Sequence, residues 1–223
     1  MLENKILIID FDSTFIKVET LDELAKLVLK NDSNRDAKIS KIKEITNLAM
    51  SGEIDFQTAL RKRLEVLSLH RTDIIKVTQL LSNLISDSFV KNKEFIQFNS
   101  DKIWIVSGGF KDIIDPIIKE YDIPPNRILA NQFKYNDDKV IGCYENNDLF
   151  KDRGKILAIE KQKINGLKIM IGDGYTDYEV FENGTANFFI CFTENIKRDK
   201  VINMAQYHAE SFDSIISIIK NLE

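Results

Sequence analysis

The segment Ile6-Leu7-Ile8-Ile9-Asp10-Phe11-Asp12-Ser13-Thr14-Phe15 runs four aliphatic residues straight into two carboxylates and two hydroxyls. An unbroken aliphatic run of this length predicts a strand covered on both faces. Carboxylates are costly to bury without partners, so Asp10 and Asp12 require either a turn or a site at the strand end. At that end Asp10 can point along the strand axis into a crevice. Asp12, two residues on, returns to the same side. The same pattern taken alone also suits an Asx turn in which Ser13 and Thr14 cap the next segment.

Further apolar runs occur at 102–106, 128–133, 167–171 and 188–192. Between them, 111–121 carries Ile113, Ile114, Ile117 and Ile118 at helical spacing, 156–164 reads as a short helix, and the Ile-rich 212–222 as a closing helix. Strands alternating with helices predict an α/β fold with a Rossmann-like parallel sheet and right-handed crossovers. Ligands of such sheets bind beyond the carboxyl ends of the strands. The roughly ninety residues between the first strand and Lys102 far exceed one crossover. Their periodicity predicts four helices, at 21–29, 39–50, 56–67 and 73–85. Residues 16–85 are therefore expected to form a small helical cap inserted after the first strand. The core would comprise 1–15 and 86–223.

The 223 residues are 43% hydrophobic and 30% charged, as in an ordinary globular protein. A net charge of −4 gives no general attraction to nucleic acid or anionic membrane, so a bound anion needs a local site. Cys143 and Cys191 are isolated and read as reduced thiols. No apolar run reaches the ~18 residues of a membrane span. A strand starting at Lys5 leaves no room for a secretory signal. The expectation is a cytoplasmic protein, monomer or homodimer. His70 and His208 lack partner patterns and read as structural or exposed, and Trp104 reads as core.

Two other strand ends carry polar groups. The second long run ends in Val106-Ser107-Gly108-Gly109-Phe110 before a helix. It offers a hydroxyl and close-approach N–H groups to an anion, or a plain helix cap. The run at 167–171 ends in Gly172-Asp173-Gly174-Tyr175-Thr176-Asp177. One carboxylate there can ligate a metal, and the second can orient a ligand or a basic side chain. Polar clusters at three carboxyl ends of one sheet point to a shared site.

Asp10-Phe-Asp12-Ser-Thr, Ser107-Gly-Gly-Phe, a downstream Gly154-Lys155 and Gly-Asp173-Gly-x-x-Asp177 resemble the four ordered motifs of the haloacid dehalogenase superfamily of phosphohydrolases. The second acid at Asp12 argues against the dehalogenase branch and the P-type ATPases. The resemblance implies a phosphoaspartyl intermediate on Asp10 and acid–base work by Asp12. It also implies Mg2+ held by Asp10, Asp173 and the backbone carbonyl of Asp12, with Ser107 and Gly108 on the phosphoryl oxygens. Keeping Asp12 protonated near neutrality costs about 4 kcal/mol, which burial and a nearby carboxylate favour and a metal opposes. The superfamily cation falls on Lys155, with Arg153 as the alternative alignment. Thr176 stands where many relatives carry Asn and still supplies a hydroxyl near the phosphate.

In the cap, Glu19-Thr-Leu-Asp-Glu and Met50-Ser-Gly-Glu-Ile-Asp-Phe56, leading to Arg63, resemble phosphoserine phosphatases. There the matching Glu meets the substrate ammonium, the Arg meets its carboxylate, and the Met and Phe wall off the site. An Arg fork suits a carboxylate. Read without the family, Glu19 is a first-turn helix charge and Arg63 a solvated helix face. The expected activity is Mg2+-dependent hydrolysis of a small phosphate ester, O-phosphoserine, in serine biosynthesis. The alternatives are a phosphotransferase, a phosphatase of another metabolite, or a non-catalytic phosphoacceptor module.

Overall fold

Alternate residues of the central strands pack into two different cores, which is what a parallel sheet covered on both faces requires. Leu7, Ile9, Ile103, Ile105, Ile169, Ile171, Ile190 and Phe192 enter one core. Their neighbours Ile8, Trp104, Val106, Met170, Phe189 and Cys191 enter the other. The computed structural model of the chain describes residues 2–222.

The chain begins with β1 (Lys5–Ile9), followed by α1 (Thr20–Val28), α2 (Arg35–Met50), α3 (Phe56–Val66), α4 (Arg71–Leu81), α5 (Asp87–Lys91) and α6 (Lys93–Phe98). It continues through β2 (Ile103–Phe110), α7 (Lys111–Ile118) and β3 (Ile128–Asn131), then β4 (Phe133–Asn136) and β5 (Lys139–Cys143). The rest is α8 (Gly154–Lys161), β6 (Leu167–Gly172), α9 (Tyr175–Glu182), β7 (Phe188–Phe192), α10 (Asp199–Met204), β8 (Tyr207–Ala209) and α11 (Phe212–Lys220). The main sheet has the order β3-β2-β1-β6-β7-β8. All its pairings are parallel. β1 is central, so its carboxyl end meets those of β2 and β6.

One face of the sheet is sealed by an aromatic cluster. Phe15 packs on Phe89 and edge-on to Tyr121, each at 4.8 Å between centroids. Phe89 in turn meets Phe192 and Phe212. The tail helix α11 is held there through Phe212, Ile215 and Ile219. Trp104 lies in the core as expected, and both cysteines are free thiols. Among the described residues no helix is long and apolar enough to cross a membrane.

Helices α1 to α4 fill the stretch between β1 and α5, with α1 packed on α2 and α4, and α2 on α3. The chain leaves and returns to the sheet side by side. Ile16 and Ile85 form an antiparallel bridge, and the Lys17 and Ser86 N–H groups donate to the Leu84 and Phe15 carbonyls at 2.8 and 3.0 Å.

Three features differ from the sequence reading. The single strand expected at 128–133 is two elements. β3 ends at Asn131, and Phe133 opens an antiparallel hairpin of β4 with β5. A hydrophobic run hides such a break because Phe133 is buried in either case, stacked on Phe110 at 3.7 Å. β8 was not anticipated, since Tyr207-His208-Ala209 is too short and polar to stand out. Strand β2 runs on through the glycines to Phe110.

Candidate active site

Immediately after β1 the chain makes one wide helical turn, Phe11–Phe15, closed by the Ile16 N–H on the Phe11 carbonyl at 3.0 Å. Ser13 sits inside this turn at φ 54°, a left-handed conformation that costs energy for a non-glycine residue. Its surroundings fix it. The Ser13 N–H donates to the Val18 carbonyl at 3.0 Å, and the Asn195 Nδ2 donates to the Ser13 and Thr14 carbonyls at 3.1 and 3.2 Å. Asp10 and Asp12 therefore share one pocket because of this turn, and not through the strand alternation expected from sequence.

Asp10, at the tip of β1, accepts the Phe11 N–H at 2.7 Å and lies 2.9 Å from Lys155 Nζ. Lys155 reaches it from the first turn of α8 and also meets Asp177 at 2.5 Å. Burial alone would pull the lysine pKa down, but Asp10 and Asp177 outweigh it and push it up, so the cation is locked in. Arg153 takes no part in this contact. It occupies a left-handed position before α8, with its guanidinium on Asn183. Of the two cations proposed from sequence, Lys155 is the one at Asp10.

Asp173 leaves the tip of β6. Its Oδ1 accepts the Thr14 hydroxyl at 3.3 Å and its Oδ2 accepts Arg198 Nε at 2.8 Å. Oxygens of Asp10, Asp173 and Asp177, all buried, lie within 4.8 Å of one another. Asp177 also accepts the Gly174 N–H at 3.1 Å, and its carboxyl packs so tightly over Gly172 that a Cβ there would collide with it.

Asp12 behaves differently. Its Oδ1 accepts both the N–H and the hydroxyl of Thr20, the former at 3.1 Å. Burial, reinforced by Asp10, pushes its pKa up to about 7 despite the Thr20 contacts. Its side chain is thus tied to the start of α1 and stands apart from the Asp10–Asp173–Asp177 group. Glu19 accepts the Ser13 hydroxyl at 2.8 Å and Arg198 Nη2 at 3.3 Å. Burial and then Asp12 raise its pKa to about 8.

Five carboxyl groups (Asp10, Asp12, Glu19, Asp173 and Asp177) thus share this space with three cations, Lys155, Arg198 and Arg63, an excess of two negative charges. Burial first, and neighbouring acids second, raise the pKa values of Asp12 and Glu19. A divalent cation on the three aspartates would neutralise the excess, and an all-oxygen donor set suits a hard ion.

Across the pocket, Arg63 of α3 is only 3% exposed. Its Nε donates to the Ala59 carbonyl and its Nη1 to the Thr46 hydroxyl, both at 3.3 Å. Among the described residues no carboxylate lies within ion-pair distance of it. Burial depresses its pKa, with Glu19, Asp12 and Asp22 opposing from further off. The expectation of a solvated helix face is wrong: the side chain lines the same pocket as Asp10, Glu19, Met50, Phe56, Ser107, Gly108 and Thr176. The tip of the Phe56 ring lies against Gly108, where any Cβ would strike it, and Met50 Sδ approaches Gly174. Ser107 Oγ accepts the Gly109 N–H at 3.0 Å.

Arg198, Thr14 and Thr20 were not found from sequence. Arg198 lies in the polar loop after β7, a further carboxyl end of the same sheet. A basic residue there was the available signal.

Residues 7–182 match the haloacid dehalogenase-like hydrolase family. The chain belongs to this family, in the branch that resembles phosphoserine phosphatases. It is 30% identical over 208 residues to the phosphoserine phosphatase of Lactococcus lactis, covering 88% of each chain. A phosphoserine phosphohydrolase-like protein from Francisella tularensis superposes with a TM-score of 0.87 at 37% identity, over 96% of this chain and 99% of the other. A phosphoserine phosphatase solved as an analogue of its phospho-aspartyl intermediate gives 0.78 at 26% identity, over 96% and 98%. Membership of a hydrolase family sets aside the non-catalytic phosphoacceptor reading.

Replacing Lys155 by Met should destabilise the metal-free protein by about 3–5 kcal/mol in urea denaturation, because Asp10 and Asp177 would be left as buried, unpaired charges. A loss below about 1 kcal/mol would show that the cation is not holding the cluster together.

Proposed function

We propose that this protein hydrolyses O-phosphoserine to serine and inorganic phosphate, with Mg2+ as its metal and Asp10 as the nucleophile. The observation that carries the substrate assignment is Arg63: a buried guanidinium without a carboxylate partner among the described residues, facing the pocket that holds the acids. An unpaired buried charge is costly. A substrate carboxylate would relieve it in a bidentate contact. Glu19, on the same pocket, is the natural partner for the substrate ammonium. Residues 16–85 act as the cap that supplies these contacts, and Met50 and Phe56 exclude water from the ester.

Mg2+ would be held by Asp10 and Asp173, with Asp177 and the Asp12 carbonyl beside it, and when bound it offsets negative charge on the phosphoryl oxygens. The residues divide the chemistry as follows. An Asp10 carboxylate oxygen attacks phosphorus, and the P–O bond to the serine side chain breaks. Asp12, whose neutral form is favoured by burial, gives its proton to the leaving oxygen. Serine departs, and Asp12, now ionised, takes a proton from a water that attacks the phosphorus. That step breaks the acyl phosphate, returns Asp10 as a carboxylate and releases phosphate. Ser107, the Gly108 backbone and Thr176 receive the phosphoryl oxygens, and Lys155 keeps Asp10 aimed. Asp177 holds Lys155 in place.

Asp12→Asn keeps the shape and removes the proton carrier. Turnover of phosphoserine in a phosphate-release assay should fall about 10²–10⁴-fold. A change of less than about threefold would remove Asp12 from the acid–base role.

Arg63→Ala tests the substrate. The kcat/KM for phosphoserine should drop at least about a hundredfold, while that for phosphoethanolamine, which lacks the carboxylate, should change by less than about fivefold. Equal losses on both esters would make Arg63 structural and withdraw the assignment to phosphoserine.

A further inference from the structure

Asn131, the last residue of β3, is fully buried between two loops of the site without lining the pocket. Its Nδ2 donates to two backbone carbonyls, Gly108 at 3.0 Å and Leu149 at 3.1 Å. Both partners can only accept, which fixes the orientation of the amide. Its Oδ1 is buried and has no partner among the described residues. A leucine would fill similar volume without stranding an acceptor, so the donors are what the position uses.

Each carbonyl belongs to a different part of the anion-facing side. The Gly108 carbonyl is one half of a planar peptide whose other half is the Gly109 N–H, beside Ser107 Oγ. Drawing that carbonyl toward β3 sets the direction of the Gly109 N–H, which is donated to Ser107 Oγ and so fixes the hydroxyl oxygen of the cradle. Leu149 lies in the one-turn helix Asp148–Phe150. Gly154 packs so closely on this turn that a Cβ would strike the Asp148 carbonyl, and Lys155 is the next residue. Asn147 repeats the tie, its Nδ2 donating to the Ala130 carbonyl at 2.9 Å.

We infer that Asn131 is a positioning residue for phosphoryl recognition. Its amide locks the Gly108–Gly109 peptide to the Leu149 turn, so that the anion cradle and Lys155 keep a fixed separation. It touches no reacting atom. The inference rests on the reading of Ser107 and Gly108 as the phosphoryl cradle.

Asn131→Asp keeps the volume but turns an oxygen toward both carbonyls, and Asn131→Ser keeps one shorter donor. The full chain, loaded with Mg2+ and turning over an aryl phosphate, yields separate inhibition constants for inorganic phosphate and for serine. In Asn131→Asp, phosphate inhibition should weaken by about tenfold or more, as expected for loss of two hydrogen bonds. Serine inhibition should stay within about twofold, because the hydrogen bonds of Asn131 reach Gly108 and Leu149 and neither Glu19 nor Arg63. Asn131→Ser should fall between wild type and Asp. Equal weakening of both ligands, or unchanged phosphate inhibition, overturns the inference. Should the Asp variant fail to fold, the Ser variant decides on the same two constants. If wild type is not inhibited by serine, the phosphoserine reading fails on its own. The phosphate constant, compared with the melting temperature of each variant, then decides Asn131.

Discussion

The contact of Lys155 with Asp10, at the end of β1, and with Asp177, in the first turn of α9 beyond β6, is what lets acids from two neighbouring strand–helix junctions stand at a common point. Parallel strands bring their carboxyl ends together, and β1 and β6, side by side, each end in an acid. Without a cation between them these acids would repel one another and lose their hydration. Arg198 performs the corresponding task for Asp173 and Glu19. The remaining excess of acid is the electrostatic reason the cluster suits a divalent ion, while burial, reinforced by Asp10, makes Asp12 reluctant to ionise.

The site draws on two parts of the chain. The acids and Lys155 stand on strand tips and on helices packed against the sheet, so their separations are set by the core. Arg63, Met50 and Phe56 belong to helices inserted after β1, and they approach the acids from the other side of the pocket. Phe56 against Gly108 shows how narrow the join is: the absence of a side chain at Gly108 is what lets the ring close over the site.

Much of this was legible in the sequence, for a physical reason. Strands buried on both faces announce themselves as continuous aliphatic runs, and a carboxylate at the end of such a run is conspicuous because burial penalises it. Asp10, Asp12, Asp173 and Asp177 were found in that way. The residues that hold them were harder to see. Thr14, Thr20, Asn131 and Arg198 are ordinary polar residues whose roles arise only from distant partners, such as Arg198 with Asp173 or Asn131 with Gly108. The break between β3 and β4 was invisible because both sides of it are apolar. The choice between Lys155 and Arg153, two residues apart, turned on which side chain the left-handed backbone at Arg153 directs toward Asp10.

Phosphoryl transfer to Asp10 is the step on which the proposed hydrolysis rests. Acid quenching during turnover of phosphoserine labelled on phosphorus, followed by peptide mapping, reads this directly. The label should be stable in acid and labile in base, lie on the peptide containing Asp10, and be lost when Asp10 is replaced by Asn. A label elsewhere, or full turnover by the Asp10→Asn protein, would contradict transfer to Asp10.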